Sequence, residues 1–329
     1  MFLPKAESTR ITCANRGQNR EPAMNPETGS PPLPKDFVLE DYRIERQISE
    51  GGFSFVYLAR DAAGEQVAIK EYLPARLAHR LENNPAPVIP EENRAAFNRG
   101  MKSFFEEGRI LARIKHPNVV QVLNFFRANE TAYMVMRYEE GISLSDHLLA
   151  MHRNGKRFDE DALRNIFVRL LSGLREVHLQ KLLHLDIKPA NIYLRRDGQP
   201  VLLDFGASRQ GLGEGDPTLT QVHTPGFAAP EQQGSGEALG PWTDIYSIGA
   251  TLYACLAVDT PQAAKNRLQK DELEPAEKRW RRIYSPVLLE LIDWSMKLHI
   301  QERPQSVFEL QKVLRGELLD LVDPAWFEG

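Results

Sequence analysis

Hydrophobic and polar positions change their rhythm several times along the chain. Residues 1 to about 36 carry Pro, Asn, Glu, Ser and Gly instead of an apolar period, ending in Gly29-Ser30-Pro31-Pro32-Leu33-Pro34. So little burial cannot repay the entropy of ordering, and a disordered leader is expected there. From Phe37 the pattern is that of strands: Tyr42 to Ile48, Phe53 to Ala59, a turn at Asp61 to Gly64, then the apolar Val67-Ala68-Ile69. Residues 74–103 hold Pro74, Pro85, Pro87 and Pro90 and are expected to form an insertion before helical periodicity resumes over Phe104 to Ile114. Ile114-Lys115-His116-Pro117-Asn118 closes that helix, and strands are predicted at Val119 to Phe126 and Ala132 to Met136. Beyond Gly141 the period is mostly helical, near Leu144 to His152, Glu160 to Leu179, Thr243 to Leu256, Val287 to Leu298 and Ser306 to Leu314. A strand-rich part followed by a helix-rich part predicts an α+β fold in two lobes, and the sequence shows no internal repeat.

Composition narrows the function without choosing it. The 329 residues are 42% hydrophobic and 26% charged with a formal net charge of −4, enough apolar material for a large core and no basic excess for nucleic acid or a membrane surface. No window approaches the run of about eighteen apolar residues that a spanning helix needs, and Pro4 and Lys5 interrupt the first apolar residues. Neither an anchor nor a secretion signal is expected. Of the two cysteines, Cys13 lies in the leader and Cys255 inside the apolar run Ile248 to Leu256, where a buried thiol is expected. That usage suits a reducing, cytoplasmic setting.

Four segments carry candidate chemistry. Ser49-Glu50-Gly51-Gly52-Phe53-Ser54-Phe55-Val56 is a small-residue hairpin, on its own a common turn. Lys70 ends Val67-Ala68-Ile69-Lys70, fourteen residues beyond Val56, and alone would be an ordinary surface charge. The run His184-Leu185-Asp186-Ile187-Lys188-Pro189-Ala190-Asn191 is followed, thirteen residues past Asn191, by Asp204-Phe205-Gly206. Two hydrophilic turns around the strand Val201-Leu202-Leu203 are a weak account of that spacing. Further on stand Thr224-Pro225-Gly226-Phe227-Ala228-Ala229-Pro230-Glu231, Asp244-Ile245-Tyr246-Ser247-Ile248-Gly249 and Glu302-Arg303-Pro304.

In that order and spacing the segments resemble the protein kinase family over about residues 42 to 315, and Lys70 to Pro74 (Lys-Glu-Tyr-Leu-Pro) resembles certain bacterial Ser/Thr kinases. The resemblance implies a small sheet lobe over 37–138, containing the 74–103 insertion, a helical lobe over 139–315 and a tail over 316–329. It implies ATP and Mg2+, with Mn2+ as an alternative metal, and protein substrates offering Ser or Thr hydroxyls. Asp186 would orient the attacking hydroxyl and accept its proton, while Lys188, placed as in the Ser/Thr branch, would reach the transferred phosphate. Asn191 and Asp204 would ligate the metal. Lys70 would clamp phosphates, partnered by Glu107, whose register before His116-Pro117-Asn118 suits the role better than that of Glu106. The loop from Ser49 through Gly51, Gly52, Phe53 and Ser54 would cover the phosphates. Adenine would lie against Val56, Ala68 and Tyr193, with Met136 as gatekeeper and the backbone around Tyr138, from Arg137 to Glu139, hydrogen bonding to it. Thr224 would bridge Asp186 and Lys188, Glu231 would pair with Arg303, and Asp244 would accept hydrogen bonds from the catalytic-loop backbone. His184 would pack in a stack with Leu111, Val122 and Phe205 and take no acid or base role.

The match has gaps. Ser49 and Ser54 replace the family's usual first and third glycines, and Leu185 stands where an Arg usually pairs with a phosphorylated residue. The segment between Asp204 and Glu231 is therefore expected to order without that phosphate, although Thr218 and Thr220 are available to receive one. Such gaps also suit a pseudokinase scaffold, and a small-molecule phosphotransferase is a third reading, disfavoured by the peptide-binding segment Thr224 to Glu231. The insertion is either a regulatory or docking element or a tolerated surface loop. Lys278-Arg279-Trp280-Arg281-Arg282 is expected to be a solvated helix face with Trp280 covering apolar surface. Substrates and oligomeric state are not specified by these residues.

Overall fold

A computed structural model of the protein describes residues 30–205, 209–210, 224–233 and 237–316. The N-terminal region is an antiparallel sheet built from β1 (Val38–Leu39), β2 (Tyr42–Glu50), β3 (Ser54–Arg60), β4 (Gln66–Tyr72), and, after a short hairpin of β5 (His79–Arg80) and β6 (Pro87–Val88) and the helix α1 (Glu91–Leu111), β7 (Val122–Ala128) and β8 (Thr131–Arg137). The order across the sheet is β1-β2-β3-β4-β8-β7. Central β4 is buried along nearly its whole length, which its apolar Val67-Ala68-Ile69 core permits. Successive side chains of a strand point to opposite faces, so adjacent Lys70 and Glu71 serve different sites. Lys70 turns toward α1 and the cleft, and Glu71 turns into the back of the sheet.

Two expectations need correction here. Residues 91–103, expected to lie in the insertion, are the first turns of α1, continuous with the anticipated helical stretch from Phe104. Phe97, Phe104, Gly108 and Leu111 form one buried stripe at helical spacing, which Asn93, Asn98 and Gly100 dilute in the sequence. Gly100 gives Tyr72 its room: a Cβ there would stand 2.1 Å from the Tyr72 hydroxyl oxygen. Secondly, residues 30–36, expected to belong to the disordered leader, are held in place: Leu33 is buried against the sheet and its N–H donates to the Tyr57 hydroxyl at 3.1 Å.

The β5–β6 hairpin and the 30–36 segment converge on Arg80. Its guanidinium, only 4% exposed, pairs with the fully buried Glu71 and donates to the carbonyls of Pro85 at 3.1 Å and Pro31 at 3.2 Å. Glu71 also accepts from the Tyr57 hydroxyl at 2.7 Å and the Tyr133 hydroxyl at 2.8 Å. Burial, then the nearby Glu71 charge, pushes both phenols well above their ordinary pKa, so they remain donors. The hairpin is therefore clamped to the sheet, and it carries the 30–36 segment with it through Ser30, whose Oγ accepts the Arg80 N–H at 3.0 Å.

The C-terminal region is helical. Its elements are β9 (Gly141–Ser143), α2 (Leu144–Arg153), α3 (Glu160–Leu179), β10 (Leu182–Leu183), β11 (Ile192–Arg195), β12 (Pro200–Leu202), β13 (Arg209–Gln210), α4 (Pro241–Ala257), α5 (Ala264–Gln269), α6 (Ala276–Trp280), α7 (Pro286–Ser295) and α8 (Val307–Arg315). Side chains of Ser143, Asp159, Ser285 and Ser306 cap α2, α3, α7 and α8. Buried from Thr243 to Leu256, α4 runs through the core, where burial pushes the Cys255 thiol far up. Trp280 is buried against Tyr253 with ring centroids 4.9 Å apart while Arg279 and Lys278 stay in solvent, as expected of that basic run. Among the described residues no helix is long and apolar enough to cross a membrane. The bulk of the leader and tail, Cys13, Gly206, Thr218 and Thr220 lie outside the described residues.

Removing Arg80 leaves the Glu71 carboxylate buried without its counter-charge. Arg80→Leu is expected to lower the unfolding free energy by about 3–5 kcal/mol, read from urea denaturation, and a change below about 1 kcal/mol would show that the clamp is not needed.

Candidate active site

The loop between β10 and β11 starts with a backbone problem. Leu185 holds φ at +64°, a left-handed conformation that a residue with a Cβ adopts only when its surroundings impose it. Asp244, in the first turn of α4, does so: Oδ1 accepts the Leu185 N–H at 2.8 Å and Oδ2 the His184 N–H at 2.9 Å. His178 Nε2, at 2.8 Å from Oδ2, completes the set. Burial raises the Asp244 pKa, but His178, His184 and the N–H donors outweigh it, and the carboxyl sits below its ordinary range.

From this fixed start the loop presents its polar side chains together. Asp186 Oδ2 accepts from Lys188 Nζ at 2.7 Å and from Asn191 Nδ2 at 2.9 Å, and Oδ1 accepts from the Thr224 hydroxyl at 2.9 Å. Lys188 Nζ also donates to Thr224 Oγ1 at 2.7 Å, so Thr224 bridges acid and base as anticipated. Since its two Nδ2 protons go to Asp186, the Asn191 side chain turns its oxygen the other way.

Across the cleft, Lys70 Nζ meets Asp204 Oδ1 at 2.5 Å. Burial works against the Lys70 ammonium, but Asp204, then Glu107 and Asp186, raise its pKa. Lys70 in turn holds the Asp204 carboxyl down at about 2. Asp204 itself remains 51% exposed on its side chain, open to the cleft. Lys70 thus donates to Asp204, and buried Glu107 on α1, the residue favoured by register, supplies a second negative charge beside it. Because Asp186 acts on Lys70 and Lys188 acts on Asp204, the two clusters share one electrostatic site.

His184 packs its ring 4.4 Å from that of Phe205, in the buried core that also holds Leu111 and Val122. Nε2 lies 2.9 Å from the Leu203 carbonyl and Nδ1 3.3 Å from the Asp186 N–H, so the neutral ring with its proton on Nε2 satisfies both. Burial lowers its pKa and keeps that form.

The inter-lobe residues line up through strand register. Ser49 stands opposite Val56, Val56 opposite Lys70, and Ala68 opposite Met136, which leads to half-buried Tyr138. Below them the Tyr193 hydroxyl donates to the Gly141 carbonyl at 2.8 Å. The hairpin closes by Gly51 N–H to Ser54 carbonyl at 2.9 Å, and its tip is tied by Ala75 N–H to Gly52 carbonyl at 3.0 Å and Leu73 N–H to Phe53 carbonyl at 2.9 Å. A Cβ at Gly52 would meet nothing within 4 Å, so packing does not require glycine there, whereas close approach of a ligand to the backbone would.

On the substrate side, Gly226 holds φ at +91° and a Cβ would come within 2.3 Å of Thr260. The Phe227 carbonyl accepts from Ser247 of α4 at 2.9 Å. Glu231 and Arg303 form a fully buried bidentate pair at 2.8 and 3.0 Å. Sequence reading missed three contributors: His178 behind Asp244, the Tyr193 hydroxyl at Gly141, and Gln232, whose side chain reaches the Leu185 carbonyl. Each acts through a long-range contact that no local motif announces.

The family described as "Protein kinase domain" matches residues 42–315. The chain belongs to the protein kinase family. It is similar to "Serine/threonine-protein kinase C" of Synechocystis sp., 30% identical over 296 residues, or 86% of this chain and 51% of that relative. It is also similar to "Serine/threonine-protein kinase PknA" of Nostoc sp., 31% identical over 83% of this chain and 47% of the relative. The chain thus spans about half the length of these curated relatives. Among solved structures, "PpkA-294 apo form" matches with TM-score 0.75 at 35% identity over 86% of this chain and 99% of that one. The kinase domain of Mycobacterium tuberculosis PknI, at TM-score 0.66 and 20% identity over 87% of this chain and 99% of that one, shares the fold.

In this chain Asp204 and Asp244 hold their protons less tightly when folded than the ordinary aspartate value of 3.8. Their stabilisation is therefore complete above about pH 4 and lost as the pH falls through the folded values. The thermal midpoint is expected to fall progressively below about pH 4. Asp244→Asn, which offers one acceptor where two N–H groups need one each, should lower stability at pH 7 by about 1–3 kcal/mol and flatten the acid decline. Calorimetry between about pH 7 and pH 3 reads both, and an unchanged midpoint at pH 7 would remove Asp244 from its role.

Proposed function

We propose that the chain is a serine/threonine protein kinase that moves the γ-phosphoryl group of ATP onto protein hydroxyls. The reading is carried by one observation: Asp186, Lys188, Asn191 and Thr224 form a single hydrogen-bonded cluster facing the Lys70–Asp204 pair. Asp186 is held from both oxygens, so it is aimed, and it accepts the proton of the attacking hydroxyl. Lys188 lies beside Asp186 and Thr224, ready to balance charge on the transferred group, and this placement with the Ser/Thr names of the relatives favours Ser/Thr over Tyr substrates. Lys70 and Glu107 position the phosphates, and the 49–56 hairpin covers them. Val56, Ala68, Met136, Tyr138 and Tyr193 form the adenine slot between a small lobe over 37–138, preceded by the ordered 30–36 segment, and a large lobe over 139–315.

Among the described residues no three His, Cys, Asp or Glu side chains group as a metal cage. One carboxylate, Asp204, and one amide oxygen, Asn191, fit Mg2+, which keeps several waters and completes its shell with phosphate oxygens. The metal, when bound, neutralises charge on the phosphates. Bacterial signalling is the setting that the relatives suggest.

Incubation with Mg-ATP and a generic Ser/Thr protein substrate should give phosphate transfer that Asp186→Asn reduces by about 10²–10⁴-fold. No transfer by the wild type, or equal transfer by Asp186→Asn, would favour the scaffold reading. Buried Leu185 offers no charge for a phosphate, so Thr218→Ala/Thr220→Ala should retain activity within about tenfold. A loss on the order of a thousandfold would show phosphate-dependent ordering.

A further inference from the structure

The peptide group joining Leu185 to Asp186 is clamped at both ends. Its N–H, on Asp186, faces His184 Nδ1 at 3.3 Å. Its carbonyl, on Leu185, accepts from Gln232 Nε2 at 2.7 Å. Gln232 lies in the turn Pro230–Gln233, is 6% exposed, and uses its other amide atom as well: Oε1 accepts the Ala229 N–H at 3.0 Å. A backbone donor on one side and a carbonyl acceptor on the other leave one consistent orientation for the amide. Gln232 therefore joins the loop that carries Thr224 and Glu231 to the strained residue next to Asp186.

We infer that Gln232 is a positioning residue for catalysis: it couples order in the substrate-side loop to the aim of Asp186, with no phosphate in the coupling. The assignment rests on the kinase reading above and deepens it. With Asp244 on the Leu185 N–H and Gln232 on the Leu185 carbonyl, the strained residue is tied from two segments remote in sequence. Freeing the carbonyl would let the peptide plane turn and carry Asp186 away from Lys188 and Thr224 while leaving the Lys70 side of the cleft in place. The expected signature is a fall in kcat with little change in the KM for ATP.

Gln232→Glu tests this. It keeps the acceptor for Ala229 but sets a carboxylate oxygen against the Leu185 carbonyl. At about pH 8, kcat toward a peptide substrate should fall on the order of a hundredfold, with KM for ATP within about twofold of wild type. As the pH is lowered to about 5.5 the buried carboxyl takes up a proton, donates to Leu185 again and recovers activity relative to wild type. Gln232→Met, of similar volume and without a donor, should lose kcat similarly at every pH. Equal kcat for wild type and Gln232→Glu throughout would overturn the assignment and leave the kinase reading standing. Loss without recovery in Gln232→Glu, matching Gln232→Met and tracking a lowered Tm, would reduce Gln232 to packing. Should Gln232→Glu not fold, wild-type kcat in Gln232→Met overturns the assignment, and reduced kcat with unchanged KM for ATP supports it. Absence of transfer by the wild type would bring down both readings.

Discussion

A carboxylate sealed inside the helical region governs the geometry of the cleft. Asp244 has no exposure, and its two oxygens receive the N–H groups of His184 and Leu185, with His178 sharing one of them. A left-handed leucine costs on the order of 1–3 kcal/mol, and it persists because these contacts over-determine it. Asp186 follows immediately, so its direction depends on α4 as well as on the Lys188 and Asn191 contacts of its own short loop. The helix reaches the other wall too, through the Ser247 contact to Phe227 and the Thr243 hydroxyl, which donates to Glu231 at 2.8 Å.

Charge in the cleft is arranged so that no ion stands alone. Lys70 offsets Asp204, Lys188 offsets Asp186, and the clusters feel one another. The Glu231–Arg303 pair follows a different logic, being wholly buried, where desolvation cancels much of the attraction. Arg303 compensates by spending its remaining donors on the carbonyls of Lys297, Leu298 and Trp242 and by lying over the Tyr246 ring at 5.0 Å. Such a pair contributes position more than net stability. It pins the loop that bears Thr224 to the helical floor.

The sequence disclosed most of this cleft because its chemistry is local in motif. Asp186, Lys188 and Asn191 fall within six residues, and α3 runs over Glu160–Leu179, the span its periodicity predicts. What escaped was set by contacts distant in the chain. Gln232 looks like one more polar residue after Glu231 until the Leu185 carbonyl is seen opposite it. Residues 91–103 scatter Asn and Gly through a stripe that becomes visible only once Tyr72 is in place beside Phe97 and Phe104 of α1. Residues 30–36 look too poor in apolar side chains to fold, and Leu33 succeeds because Tyr57 and Arg80 supply the polar half of the contact.

That last clamp bears on how this branch of the family can diverge. The β5–β6 hairpin, the approach to β1 and the back of β4 meet at one guanidinium and one carboxylate. A lineage that discarded the hairpin would strand Glu71, and one that first neutralised Glu71 would strand Arg80. Loss of either charge therefore loosens the hairpin, the approach to β1 and the back of β4 together, because one ion pair serves all three.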